Sequence, residues 1–331
     1  MSIRRKGKNP QSGGKKIDII VPVMGPTGAG KSTFINFALG REMTKAGHGT
    51  TSCTSDPLPI VLDNPFPGDP HFRRCRLVLL DTPGFDDTHH EDVEILRRIA
   101  RWLEKSCREG NLVGGVLYFH DISAKRFTGT ARQNLVMFSR LCGQDALEKT
   151  ELVTTNWGSG RTEILEQRES EMKDEHWSPL IEKGVKVRRF LRDSESALDV
   201  LNHLLGHIDV DSLLDLQIQK ELLEFRMSIP ETQAGQELRY TLKQLLKMQN
   251  ETVTLEKSLM QNGDSEARAN LKDAEKKMQE LQNQVQELRV KLSLPKKLMK
   301  MFGLLVGAFH RCYVIAVLKD SYSRRVENLP V

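Results

Sequence analysis

The chain has 331 residues, 28% charged and 38% hydrophobic, a balance that fits a folded globular protein and excludes a low-complexity or collagen-like chain. The net charge of +5 is mild, and much of it sits in the first 16 residues, where Arg4, Arg5, Lys6, Lys8, Lys15 and Lys16 stand beside Gly7, Gly13 and Gly14. Five scattered cysteines with no CxxC pair argue against a disulfide framework or a zinc site and fit reduced thiols.

In chain order, residues 1–16 read as a flexible basic arm. No apolar run follows them, which argues against a secretory signal. Ile17 to Met24 is an apolar strand, and Ser32 to Leu39 follows as a helix. Arg76 to Leu80 is a second strand, ending on Asp81. Ile95, Leu96, Ile99 and Leu103 recur at helical spacing between Glu91 and Cys107. Leu112 to Phe119 is strand-like and Thr130 to Leu141 helical. Glu151 to Thr155 is a strand and Arg161 to Lys183 a polar helix. Val185 to Phe190 and Ser196 to Ile208 add one more strand and helix. This alternation predicts an α/β domain over 17–210, a mostly parallel sheet with helices on both faces.

Beyond that, residues 211–331 carry helical signals only. Leu238, Leu242, Leu245, Thr252, Leu255 and Leu259 share one helical seam, broken at Asn262 to Ser265. Leu271, Ala274, Met278, Leu281, Val285, Leu288 and Leu292 then alternate in steps of three and four. The heptad pattern of 238–292 fits a helix lying on its own domain, or a coiled coil with a partner or a second copy. Pro295 ends it. The segment 299–318 is strongly apolar and contains the GxxxG of Gly303 and Gly307, but His310 and Arg311 interrupt its middle. It reads either as a packed helix or as a membrane-surface or tail anchor.

The motif that carries chemistry is Gly25-Pro26-Thr27-Gly28-Ala29-Gly30-Lys31-Ser32, a GxxxxGKS phosphate loop between a strand and a helix. Its backbone N–H groups, with those at Thr33 and the helix start, curl around phosphate oxygens. Lys31 places an ammonium near the β and γ phosphates, and Ser32 offers a hydroxyl to Mg²⁺. Asp81-Thr82-Pro83-Gly84 follows the second strand. Asp81 is placed to hold the Mg²⁺ shell, and Gly84 to offer its N–H to the γ phosphate.

Together these motifs resemble the translation-factor class of P-loop GTPases, and within it the septin and immunity-associated (GIMAP-type) branch. The stretch Arg126-Phe127-Thr128 through Phe138 and Gly143, then Leu152 to Thr155, is similar to that branch's box between its third and fourth motifs. A large group of fungal G-domain proteins looks similar too. The resemblance covers residues 17–208. It implies a G domain that binds GTP and GDP with Mg²⁺, and it places the switch threonine, which is also a metal ligand, at Thr54, with Thr50 and Thr51 as competitors. It puts the fifth motif at Ser196-Ala197.

Two positions depart from the pattern. The guanine-reading motif falls on Thr155-Asn156-Trp157-Gly158, and Gly158 stands where an aspartate is expected. Asn156 and Trp157 remain as base-side residues, Trp157 either stacking on the base or covering the sheet edge. Phe85 follows Gly84 where small GTPases carry a water-orienting glutamine. Asp86, Asp87, His89 and His90 lie nearby. The expectation is a GTP-preferring switch with slow, assembly-assisted hydrolysis, with Lys31, Thr54 and Gly84 as its catalytic residues. The rivals are a nucleotide-bound scaffold that does not hydrolyse, and an ATP-binding protein. Homo-oligomers through the nucleotide face or the coiled coil are expected, and membrane contact through 299–318 fits the resemblance. A nucleic-acid partner is not expected, and the setting is cytoplasmic or at an intracellular membrane surface.

Overall fold

The computed structural model describes residues 17–43, 56–62, 75–85, 92–206, 215–261 and 266–290. The basic arm, Thr50 to Thr54, Asp86 to His90 and the segment 299–318 lie outside them. Seven strands form one sheet: β1 (Ile17–Met24), β2 (Leu58–Leu62), β3 (Cys75–Asp81), β4 (Leu112–Val113), β5 (Val116–Asp121), β6 (Thr150–Thr155) and β7 (Lys186–Arg189). The main order is β2-β3-β1-β5-β6-β7, with β4 also beside β1. Every pairing is parallel except β2 with β3.

The period of two along β1 divides the core. Ile19, Val21 and Val23 point to one face, where they pack with Phe34 and Ile35 of α1 (Lys31–Leu39) and Leu201 and Leu205 of α7 (Ser194–Leu205). Ile20 and Met24 point to the other. There Leu96, Ile99 and Leu103 of α2 (Asp92–Arg108) are fully buried together with Phe138 of α3 (Gly129–Cys142). Each such side chain contributes about 1.5–3 kcal/mol of burial. With both faces covered, the strands read as continuous apolar runs rather than alternating ones.

The predicted strand 112–119 is interrupted at Gly114 and Gly115. The Gly114 N–H still donates to Ile20 O at 3.0 Å, so the interruption stays tied to β1. The predicted polar helix 161–183 divides into α5 (Thr162–Glu171), a π-helical turn (Met172–His176) and α6 (Ser178–Ile181), with Pro179 at the start of α6. A short α4 (Gln144–Leu147) precedes β6. The edge strand β2 has no counterpart among the predicted elements, because Pro57 and Pro59 punctuate its sequence.

Past α8 (Gln217–Leu223) come α9 (Gln233–Gln261) and α10 (Ala267–Glu287). The Thr232 hydroxyl caps α9 by accepting the Gly235 N–H at 3.0 Å. The two helices pack antiparallel, for Val285 and Leu288 join the core cluster of Leu238 and Leu242. Along the pair Gln249 Nε2 donates to Ala274 O at 3.0 Å, and Lys257 meets Glu275 at 3.2 Å. Arg97 of α2 holds Glu287 at 2.9 Å at the root of this hairpin. Of the heptad positions, Leu238 and Leu242 of α9 and Ala274, Val285 and Leu288 of the second run are buried within the chain, in two helices rather than one. The predicted seam of α9 is met at Leu238 and Leu242 and then departs. Val253 is buried, while Leu255 is 58% exposed. Among the described residues, no helix is long and apolar enough to cross a membrane.

Candidate nucleotide-binding site

The phosphate loop joins β1 to α1 at the carboxyl end of the strands, the edge where open α/β sheets bind their ligands. Gly25 has φ 134°, and a Cβ there would stand 2.5 Å from Phe119 O, so only glycine lets the loop cross β5 this closely. At the far end Gly30 caps α1 in the left-handed region, φ 87°. The Thr155 hydroxyl at the end of β6 donates to Ala29 O at 3.0 Å and ties the loop to the sheet. Thr155 is a supporting residue that the motif reading assigned only to the base side. A polar residue ending a buried strand was its one signal.

Lys31 is buried, and its Nζ donates to Gly25 O and Pro26 O, both at 2.8 Å. Burial lowers its pKa to about 8, against the opposing pull of the Asp81 carboxylate. The ammonium is thus held by its own loop beside the Asp81 carboxylate.

Asp81 closes β3 and is fully buried. The Ser32 hydroxyl donates to its Oδ2 at 2.8 Å, which brings together the two described residues assigned to Mg²⁺. A hydroxyl and a carboxylate are hard oxygen donors that suit this ion. Thr27 Oγ1 is buried with no hydrogen-bond partner among the described residues, a polar atom left for a ligand. Thr82 Oγ1 donates to Val23 O at 2.8 Å and fixes the turn after β3 to β1. Gly84 then runs so close to the phosphate loop that a Cβ would lie 2.4 Å from Thr27 N and 2.5 Å from Thr27 Oγ1. Phe85 is buried and belongs to the larger core cluster. Thr54 lies outside the described residues.

On the base side, Asn156 takes the left-handed conformation, φ 60°, and Trp157–Ser159 form a short 3₁₀ turn. Trp157 is pinned. Its Nε1 donates to Thr154 O at 3.2 Å, and the Arg189 guanidinium lies 4.1 Å over its ring. Arg189 is itself held by Glu169 at 2.7 Å and Glu166 at 3.0 Å. Burial opposes ionisation of Glu169, but hydrogen bonds from Arg189 and Lys173 outweigh it and keep the carboxyl below its usual range. Trp157 therefore has one face committed to a cation on the sheet edge. Gly158 is exposed, and a Cβ there would meet nothing within 4 Å.

Ser196 and Ala197 fall inside the first turns of α7. Ser196 Oγ accepts the Leu191 N–H at 3.0 Å, and Ala197 is buried with its N–H on Asp193 O. The loop Leu191-Arg192-Asp193 leads into them, and Asp193 caps the helix through Ser196 N at 2.7 Å. Arg192 has φ 66°. Two non-glycine residues in the left-handed region, Asn156 and Arg192, thus follow neighbouring parallel strands at the ligand edge of the sheet.

Comparison with known proteins agrees with this geometry over part of the chain. Residues 20–130 match the profile of the 50S ribosome-binding GTPase family. A search of curated proteins finds no match. Among solved structures, Toc33 from Arabidopsis thaliana with Mg²⁺ and GMPPNP is 14% identical, covering 58% of this chain and 84% of its own, at a TM-score of 0.45. Era from Aquifex aeolicus bound to GDP·AlF4⁻ is 17% identical over 68% of each chain, at 0.39. The elongation factor SelB from Methanococcus maripaludis with the GTP analogue GppNHp is 13% identical, over 59% of this chain and 35% of its own, at 0.39. The profile match spans the phosphate loop, Asp81 to Gly84 and β5. Together with the mostly parallel sheet between two helical layers, it fits the α/β G-domain fold over this part of the chain.

Proposed function

We propose that the protein is a guanine-nucleotide switch that binds GTP and GDP with Mg²⁺, in the septin and immunity-associated branch, and hydrolyses GTP slowly with help from a second copy. The observation that carries this is the Ser32–Asp81 contact at 2.8 Å, beside an ammonium that, among the described residues, bonds its own loop carbonyls. Ser32 and Asp81 would hold Mg²⁺, joined by Thr54 on the resemblance. The ion supplies charge neutralisation at the β and γ phosphates. Lys31 would exchange its two carbonyl acceptors for phosphate oxygens, and Gly84, whose backbone runs against Thr27, would offer its N–H from the β3 side. Phe85 is apolar and sits in the core, so a water-orienting group has to come from elsewhere. This supports slow or assisted hydrolysis, and it equally supports the scaffold reading in which nucleotide is held without turnover. The open surface at Gly158 supports a relaxed choice between guanine and adenine.

The test is to identify the nucleotide that co-purifies with the protein, then to titrate fluorescent GTP and GDP against wild type and Lys31→Ala. Single-turnover phosphate release is followed over a hundredfold range of protein concentration. GTP or GDP in the preparation, loss of binding in Lys31→Ala and a rate per chain that rises with concentration are expected. Undiminished triphosphate affinity in Lys31→Ala would end the nucleotide reading. A concentration-independent rate would end the assisted one.

A further inference from the structure

The α9–α10 hairpin buries one stripe of α9 and leaves another uncovered. Leu238, Leu242 and Val253 face inward, while Met248, Leu255 and Leu259 are 63%, 58% and 36% exposed. Their spacing of seven and four residues aligns them along one side of the helix, with Thr252 completing the row. A run of large apolar side chains along one helix face marks a surface that another element covers.

We propose that the occupant is the apolar segment 299–318 of the same chain, which docks as a third element along this stripe of α9. Three observations converge on it. The first is reach. Leu288 is buried in the same core cluster as Leu238 and Leu242, and Glu287 is held to Arg97 of α2, so the antiparallel hairpin returns the chain to the root of α9. Eight residues separate Val290 from Met299, a span of up to about 30 Å, whereas Leu255 lies only about 20 Å along α9 from Leu242. The second is polarity. The segment is apolar at Phe302 to Phe309 and Cys312 to Leu318, but His310 and Arg311 interrupt it. A central arginine opposes entry into a bilayer. On a protein surface it needs only an acid at the rim, and exposed Glu251 lies one turn from Leu255 on that side of α9. The third is tethering, since a short linker presents the segment to the stripe at millimolar effective concentration, which a separate partner must match.

The native Cys312 supplies the probe. In the full chain Cys53, Cys75 and Cys107 are replaced by serine, and Cys142 is kept, because it is buried and burial pushes its thiol far up. Met248→Cys is introduced on the stripe, or Lys276→Cys at an exposed position of α10 as the control, and each is treated with a short bismaleimide. The expected result is a cross-link between positions 248 and 312 within one chain, about tenfold above the control. It should fall back to the control level when Leu255→Glu and Leu259→Glu are added. Both side chains are exposed on the hairpin itself, so circular dichroism of that variant should show the helix content of wild type. Cross-linking at 248 no better than the control overturns the proposal, as does a cross-link found only between chains, which assigns the stripe to a second copy. Flotation of the full chain with phosphatidylcholine–phosphatidylserine vesicles, with no cross-link in their presence or absence, assigns the segment to a membrane and equally overturns it.

Discussion

Restoring a carboxylate at Gly158 is the sharpest test of how the site treats the base. The residue is exposed, its Cβ position is open to 4 Å, and its φ lies outside the left-handed region. Gly158→Asp therefore carries no steric penalty, and its effect on stability stays within about 0.5 kcal/mol, as for ordinary surface changes. Guanine presents two N–H donors on one edge where adenine presents none in that pattern. A carboxylate that accepts both gains hydrogen bonds to a charged group, each worth about 1.5–3 kcal/mol when well formed. The site is open to water, so a net gain of about 1.5–3 kcal/mol for the pair is the reasonable expectation, roughly ten- to a hundredfold in GTP over ATP. Competition of GTP and ATP against one fluorescent nucleotide measures the ratio. Gly158→Ala supplies the same Cβ without the carboxylate and should leave it unchanged. A Gly158→Asp protein that binds nucleotide normally with an unaltered ratio would refute the placement of the base beside Asn156 and Gly158. A wild-type preference above about a thousandfold, roughly 4 kcal/mol, would show that another group already reads guanine.

Gly84→Ala should destabilise the apo protein by about 1–3 kcal/mol in urea unfolding and weaken triphosphate binding, because the new methyl collides with the Thr27 backbone; wild-type stability would contradict the close approach. His120 should make the fold acid-sensitive. Burial lowers its pKa to about 4 from 6.5, so the unfolded chain binds the extra proton between those values, and the stability present above pH 6.5 is lost as the pH falls toward 4. At pH 5 the loss is about 2 kcal/mol, and His120→Phe, which keeps the aromatic packing on Phe127 and Trp177, should be spared it in urea titrations at pH 7 and 5. Equal acid sensitivity in the two proteins would show that His120 does not carry the effect.

The sheet was legible where a strand is buried on both faces, since β1, β3 and β6 are dominated by apolar or β-branched residues. Its edge was not, because the prolines of β2 mimic a turn. The phosphate loop and Asp81 were legible because their chemistry demands fixed residue types at fixed spacing. The base side was less so. What pins Trp157 is Arg189, a residue of another strand with no motif of its own, and Thr155 supports the phosphate loop through a contact between residues far apart in sequence. The heptads announced helix pairing but not its partner. After Leu242 two apolar stripes compete on α9, and only the register with α10 decides that Val253 is buried and Leu255 is not.

The ion pair between Arg97 and Glu287 has a mechanical meaning. It fastens the α10 end of the α9–α10 hairpin, whose 29-residue α9 is about 43 Å long, to the helix that follows Asp81-Thr82-Pro83-Gly84. A rod held at its base magnifies angle into distance: a tilt of about ten degrees in α2, if transmitted through that joint, carries the far tip of α9 through roughly 7 Å. A small angle at the base of the hairpin is thus a large distance at its tip, and that base meets the helix that follows β3 and its Asp81.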